Sequence, residues 1–308
     1  MIKQAVQSAF AILAIALPGV ATSAVDVFIV PRLELQAGYE NNRLEESGSG
    51  EGSPFWQATP GLDVTMFGEK TEASLWLDYR RTQYTKSGFE SKDEASAFAQ
   101  WRYFGGHNEA GVGVGGGWYR DAVLSDSDSL FWQARPYFVH TMKGIPAEMS
   151  LKGTFRQTLY EVSVYTSATD RVDSRMEVRP GFRWHPSRKA TVWAEFYAER
   201  NLSDAREAEY SGFGGAFGCE FRPSARLALG AWVEAGSRPY EEQVENQDRT
   251  DSPRRMGAWA SYRLRPWLEL FSLADWESFS STIDWNEYSW WRASMGVKLV
   301  FEHEMNIH

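Results

Sequence analysis

The sequence predicts an all-β fold: a closed antiparallel transmembrane β-barrel of about 14 strands, with 12 to 16 compatible with the pattern. Three observations predict it. Apolar and polar residues alternate with period two along most of the chain, short and long connections alternate, and aromatic residues gather near the ends of the apolar faces.

The alternation comes first. Leu33, Leu35, Ala37 and Tyr39 share one parity, and so do Ala95, Ala97, Ala99, Trp101 and Tyr103. The pattern recurs at Ala190, Val192, Ala194, Phe196 and Ala198, and at Trp291, Ala293, Met295, Val297, Leu299 and Phe301. Successive side chains of a strand point to opposite faces, so each segment has one apolar and one polar side. Strands are expected near 28–43, 55–67, 71–85, 93–104, 109–120, 129–142, 147–160, 173–185, 189–201, 209–222, 225–238, 254–264, 267–279 and 287–302. These are long for soluble strands and suit tilted strands that cross a bilayer and extend into water.

The connections supply the second signal. Gly68-Glu69-Lys70, Gly105-Gly106-His107-Asn108, Lys143-Gly144-Ile145-Pro146, Pro186-Ser187-Arg188, Pro223-Ser224 and Arg265-Pro266 are tight-turn sequences. Between them lie longer polar loops at 44–54, 121–128, 161–172, 202–208, 239–253 and 280–286. Short periplasmic turns with longer external loops are a property of outer-membrane barrels. A soluble β-sandwich has no reason to sustain that asymmetry.

Aromatics make up 15% of the chain and include 14 Trp, although mean hydropathy is −0.45. Tyr103, Phe138, Trp184, Phe221 and Phe301 fall toward the short-turn end, and Tyr39, Tyr79, Trp118, Trp132 and Trp291 toward the long-loop end. Two interfacial girdles account for both sets. The opposite face carries Arg80, Arg102, Arg135, Arg263 and Arg292 among others, charges that hydrocarbon would not tolerate and that must therefore face a lumen.

Residues 1–24 stand apart. Lys3 precedes an apolar stretch from Ala9 to Val20, and Ala21-Thr22-Ser23-Ala24 closes with small residues, the layout of a cleaved signal peptide. The expected organisation is a signal peptide at 1–24, a barrel at 25–302 and a C-terminal periplasmic tail at 303–308. Cys219 is the single cysteine, which excludes an intramolecular disulfide. A net charge of −9 argues against a nucleic-acid partner. Scarce His and Cys leave no expected metal or other cofactor.

Two resemblances refine this reading. The last strand reads Ser294-Met295-Gly296-Val297-Lys298-Leu299-Val300-Phe301 and resembles the assembly signal of bacterial outer-membrane proteins, with Ser294, Gly296, Leu299 and Phe301 as its marker positions. It implies the barrel-assembly machinery as a partner and an outer-membrane location. It departs from the pattern in continuing from Glu302 to His308. Pro31-Arg32-Leu33, Gly38-Tyr39-Glu40-Asn41-Asn42, Thr59-Pro60-Gly61-Leu62, Thr71-Glu72-Ala73-Ser74-Leu75 and Asp78-Tyr79-Arg80-Arg81 are similar to β-barrel porin families associated with exopolysaccharide export loci. That similarity covers residues 28–84 and implies no catalytic residue.

A barrel of about 14 strands lies between packed eight-stranded barrels and wide 16–18-stranded channels. The leading expectation is a passive channel for ions or small hydrophilic solutes, including saccharides. The charged lumen is expected to include Arg175, Glu177, Arg179 and Arg183 on one strand, with Lys152 and Arg156 before it and Glu195, Glu199 and Glu234 after it. These charges would either select charged solutes or form an ion-pair ladder that neutralises and stiffens the wall. Trp76, Trp193, Tyr197, Trp232 and Trp259 share the inward phase and would either stack on sugar rings or fill space. Acidic loop residues Asp121, Asp126, Asp128, Glu241, Glu242, Glu245, Asp248 and Asp251 would be solvated or hold cations that bridge lipopolysaccharide. Gly111 to Gly117 lacks the Lys and the helix of a phosphate loop. An enzyme is not expected, because no Ser–His pairing accompanies His140. A plugged or scaffold barrel serving a periplasmic export or electron-transfer partner is the remaining class.

Overall fold

The computed structural model describes residues 25–41, 52–86, 91–122, 128–160, 171–242, 248–282 and 287–307. The expected signal peptide, and the loop acids Asp126 and Glu245, lie outside them. Fourteen strands follow one another: β1 (Val25–Glu40), β2 (Ser53–Phe67), β3 (Thr71–Tyr84), β4 (Ser91–Gly105), β5 (Asn108–Asp121), β6 (Ser129–Thr141) and β7 (Ala147–Tyr160). They continue as β8 (Arg171–Ser187), β9 (Ala190–Ser203), β10 (Tyr210–Phe221), β11 (Leu227–Pro239), β12 (Thr250–Arg265), β13 (Leu268–Ser281) and β14 (Tyr288–Val300). Each pairs antiparallel with its sequence neighbours. β14 then pairs with β1, from Arg32 opposite Val300 to Glu40 opposite Arg292, and this seam closes the sheet into a barrel.

The short connections hold two to five residues and the long ones six to twelve, all the long ones at the same end. Gly106 and Gly144 take positive φ (62° and 76°) in two of the short turns, a conformation that a Cβ would strain. Several strands begin or end further toward the long loops than alternation indicates, as at Ser91, Arg171 and Thr250. There the strands carry polar residues of both parities, such as Lys92 beside Asp93, and the two-residue signal vanishes.

A fifteenth strand, β15 (His303–Ile307), occupies the segment expected as a tail and pairs with Val25–Ile29 of β1. β1 starts three residues before its expected beginning, so its edge outlasts β14. The chain beyond Phe301 supplies the missing backbone partners. Within the assembly-signal segment, Ser294 Oγ lies 3.0 Å from Gln36 Oε1, Leu299 faces Leu33, and Phe301 N–H donates to Pro31 O at 3.0 Å.

Burial is inverted relative to a soluble protein. Gln36, Glu40, Gln57, Thr59, Gln133, Thr158, Asp173, Glu199 and Asn201 are buried, and Asp251 and Ser53 are fully so. Phe196 (70% exposed) and Met295 (71%) stand on the outside with Leu35, Leu151, Val178 and Val233. Tyr103, Phe138, Trp184, Phe221 and Phe301 are exposed toward the short turns. Tyr39, Tyr79, Trp132 and Trp291 are exposed toward the long loops, where Tyr39 packs on Trp291 at 5.4 Å and Tyr79 on Trp118 at 6.3 Å between ring centroids.

Several inward aromatics are accommodated by inward glycines on neighbouring strands. Trp193, Gly218, Trp232 and Gly257 form one cross-strand row over β9–β12, and Trp259 faces Gly230 in another. A Cβ at Gly257 would come within 2.6 Å of Trp232 Nε1. On β5 a Cβ at Gly113 would meet Phe98 at 2.6 Å, and one at Gly111 would meet Tyr137 at 2.6 Å. The glycine run from 111 to 117 thus lets rings lie against the wall, which keeps them from projecting into the lumen.

Gly257→Val should therefore lower the urea midpoint of the protein in lipid vesicles by the equivalent of ~1–3 kcal/mol of overpacking, with partial recovery in the Gly257→Val/Trp232→Ala double variant. Val178→Arg, at the middle of an outward face, should cost ~2–4 kcal/mol in the same assay.

Candidate functional site

Charged side chains of the inward parity pair across strands, as Lys152 and Arg179 do with Glu195. Within the barrel a cavity of about 950 Å³ lies at the short-turn end. It runs from Gly106, His107 and Asn108 at the turn to Arg135, Glu177 and Arg179 at mid-depth. A second cavity of about 460 Å³ lies at the same end against β10–β14, lined in part by Arg226, Trp259 and Lys298. The inward residues toward the long loops are largely buried.

One ionic network crosses β7 to β11. Arg179 donates from Nε to Glu177 at 3.0 Å and from Nη1 to Glu195 at 3.3 Å and Glu234 at 3.4 Å. Lys152 Nζ reaches Glu195 at 2.5 Å. Arg175 bridges Glu177 at 2.8 Å and Glu199 at 2.5 Å, and Arg238 reaches Glu199 at 2.7 Å. Four cations meet four carboxylates, so this network is neutral. Alternating charges within β8 and across to β9 and β11 explain why: each Arg finds a carboxylate two residues along or one to three strands away. The arrangement is a ladder of pairs, with no basic wall facing an acidic one. Arg183 lies outside it and pairs with Glu148 at 3.6 Å on β7.

A second network covers β14 and β1 to β4. Glu40 accepts from Tyr84 at 3.0 Å and is approached by Lys92 at 3.5 Å and Arg292 at 3.8 Å. Arg292 also donates to Gln57 at 2.8 Å and stacks 4.1 Å above Phe55. Deeper in, Arg32 joins Asp63 at 3.1 Å and Asp78, and Arg102 joins Glu72. In a ring of fourteen strands β2 and β9 are seven apart, so the two networks line opposing walls. This second network was not singled out from sequence. Its members share the inward phase, which is the signal that finds them, but their pairing spans strands that no local pattern links.

Arg135 and Arg156 differ from the paired lumen cations: among the described residues neither has a carboxylate oxygen within 4.0 Å. Trp76, with Phe98 at 5.9 Å, and Trp193 line the larger cavity, Trp259 lines the smaller one, and Trp232 lies over Gly257. Tyr197 is buried beneath Arg179, whose guanidinium carbon is 4.9 Å from the ring centroid. Asp251, expected as a loop acid, is neutralised by Arg249 at 2.7 Å and accepts from Ser281 Oγ at 2.7 Å. Tyr240, beyond the end of β11, has its phenol held above the ordinary range by burial and by the nearby Asp251 carboxylate. His140 Nδ1 lies 2.8 Å from Asn108 Oδ1 on the outer surface. Among the described residues no cluster of His, Cys, Asp and Glu is arranged to hold a metal.

Comparison with known proteins places this architecture. No family model matches the sequence. No curated protein matches it either. Solved structures do match over nearly the whole chain. A loop-deletion form of OmpT, an outer-membrane protein of Vibrio cholerae, aligns with a TM-score of 0.55 at 9% identity, covering 91% of this chain and all of that one. OmpT expressed in the Vibrio cholerae outer membrane gives the same score and identity, covering 91% and 99%. The outer-membrane channel DcaP of Acinetobacter baumannii aligns with a TM-score of 0.50 at 10% identity, covering 91% and 99%. At such identities the likeness is one of fold: the chain has the architecture of an outer-membrane β-barrel.

Proposed function

We propose that this chain is an outer-membrane channel through which ions or small hydrophilic solutes diffuse. The observation that carries the reading is an open space of about 950 Å³, lined by polar, charged and aromatic side chains, inside a closed barrel with an apolar exterior. A wall built for packing would bury apolar residues inward. This one sets Arg102, Lys152, Arg179 and Glu195 around open space, with the short turns facing the periplasm. Paired charges suit a conduit for polar solutes because each residual dipole can hold water or solute without a large barrier.

A second reading has its own support. Inward side chains toward the long loops, Asp251, Ser53, Glu199 and Asn201 among them, are buried. A lumen narrowed at that end suits a plugged or scaffold barrel that serves an export or electron-transfer partner. Lipopolysaccharide and the assembly machinery belong to either reading.

Purified protein in planar bilayers should give stepwise conductance; a silent, correctly folded barrel would favour the scaffold. Arg179→Gln leaves Glu177, Glu195 and Glu234 with one cation fewer, so the cation-to-anion permeability ratio should rise, on the order of twofold or more, read from the reversal potential in a salt gradient. Glu234→Gln should shift it the opposite way.

A further inference from the structure

We propose that Arg135 on β6 and Arg156 on β7 form a binding site for small oxyanions, of the carboxylate or phosphate class, halfway along the lumen. The proposal names a solute class for the channel and rests on that reading only for the route by which the anion arrives.

Neither guanidinium has a carboxylate at ion-pair distance: Glu177 near Arg135 is taken up by Arg175 and Arg179, and Glu94 near Arg156 by Arg80. Arg156 stands opposite Gln133 on one side and Arg175 on the other. Like charges directly across a sheet are destabilising, and Arg175 is already engaged by Glu177 and Glu199. Arg135 sits two residues from Gln133, donates to its Oε1 at 2.9 Å, and forms part of the inner end of the 950 Å³ cavity. The next cations, Arg179 and Lys152, belong to a network in which charges cancel. Arg135 and Arg156 are therefore a local excess of two positive charges beside a neutral ladder.

Their geometry leaves donors to offer. Arg156 Nε donates to Thr158 Oγ1 at 3.2 Å, while its guanidinium lies 4.1 Å above Phe131. Arg135 lies 5.1 Å from the Phe98 ring. Cation–π stacking engages the face of a guanidinium and leaves its edge free. An Arg presents five N–H donors in a planar fork matched to carboxylate and phosphate oxygens. With only one side-chain bond apiece to a neutral oxygen, the two forks retain unengaged donors. Gln133, the cross-strand partner of Arg156, accepts from Arg135 and so ties the two positions to adjacent strands. Phe98 in turn rests against Gly113, so the glycines of β5 help to set the position of Arg135.

The test is equilibrium binding of inorganic phosphate to the folded full-length protein in detergent, followed by phosphorus NMR line broadening, which needs no conduction. Saturable binding is expected, weakened about tenfold or more in Arg135→Gln/Arg156→Gln and unchanged in Arg120→Gln on the outer surface. Arg156→Lys, which keeps charge and loses the fork, should bind with intermediate affinity. Heat-modifiable gel mobility confirms that each variant is folded. Absent saturable binding, or equal binding by the double variant, overturns the site. A protein that binds phosphate through these residues yet never conducts would sink the channel and leave the site standing. Acetate in place of phosphate separates the two oxyanion sources: comparable affinity marks a general carboxylate and phosphate site, and preference for phosphate marks the dianion as the favoured occupant.

Discussion

Backbone hydrogen bonding in a medium without water governs the rest of this structure. Each N–H and C=O at bilayer depth must find a partner within the protein, because hydrocarbon offers none. A sheet meets that demand only if it has no edge. The pairing of β14 with β1 removes the edge within the barrel, and β15 removes it along the part of β1 that projects beyond β14. Once the sheet is closed, the two faces of every strand acquire different solvents. The apolar parity goes to lipid, and the charged parity goes inward because it has nowhere else to go.

Charges confined in this way must be arranged as well as buried. Most are paired, and pairing keeps four cations and four carboxylates on β7–β11 from repelling one another. The same logic runs on the opposite wall around Glu40. Large rings share this crowded interior because glycines on adjacent strands let Trp232, Phe98 and Tyr137 lie flat. Space beside these rings is thus maintained by a glycine on the next strand, whereas Trp76 lies across from Asp63 and Phe98. Where the ionic code is left incomplete, at Arg135 and Arg156, unbalanced charge marks a place for a solute.

Much of the fold was legible in the sequence because its signal is local and repeated. Parity along a strand needs only the residues of that strand, and turn chemistry needs only a few, so strand number and topology could be read directly. The strand ends near the long loops could not, since at Lys92 and Asp93 both faces meet water and parity ceases to distinguish them. The tail after Phe301 was missed as a strand because its partner, Val25–Ile29, lies at the other end of the chain. Placing charges on the inward parity was equally local. Pairing them was not: Lys152 and Glu195 are 43 residues apart, Arg179 and Glu234 are 55, and Arg292 and Gln57 are 235. For that reason sequence left both a selective field and a neutral ladder open on β8, where the structure pairs Arg175 and Arg179 with Glu177, Glu195, Glu199 and Glu234. The excess at Arg156 was invisible in the same way, since it depends on which carboxylates its neighbours have already taken.

Nitroxide labels placed one at a time from Val192 to Glu199 on β9, in a Cys219→Ser background reconstituted in lipid bilayers, test the inside-out sheet most directly. Dissolved oxygen, which concentrates in hydrocarbon, should relax the labels most at 192, 194, 196 and 198, and a water-soluble nickel chelate should favour 193, 195, 197 and 199. Accessibility with no two-residue period, or with the two parities exchanged, would contradict the structure at its foundation.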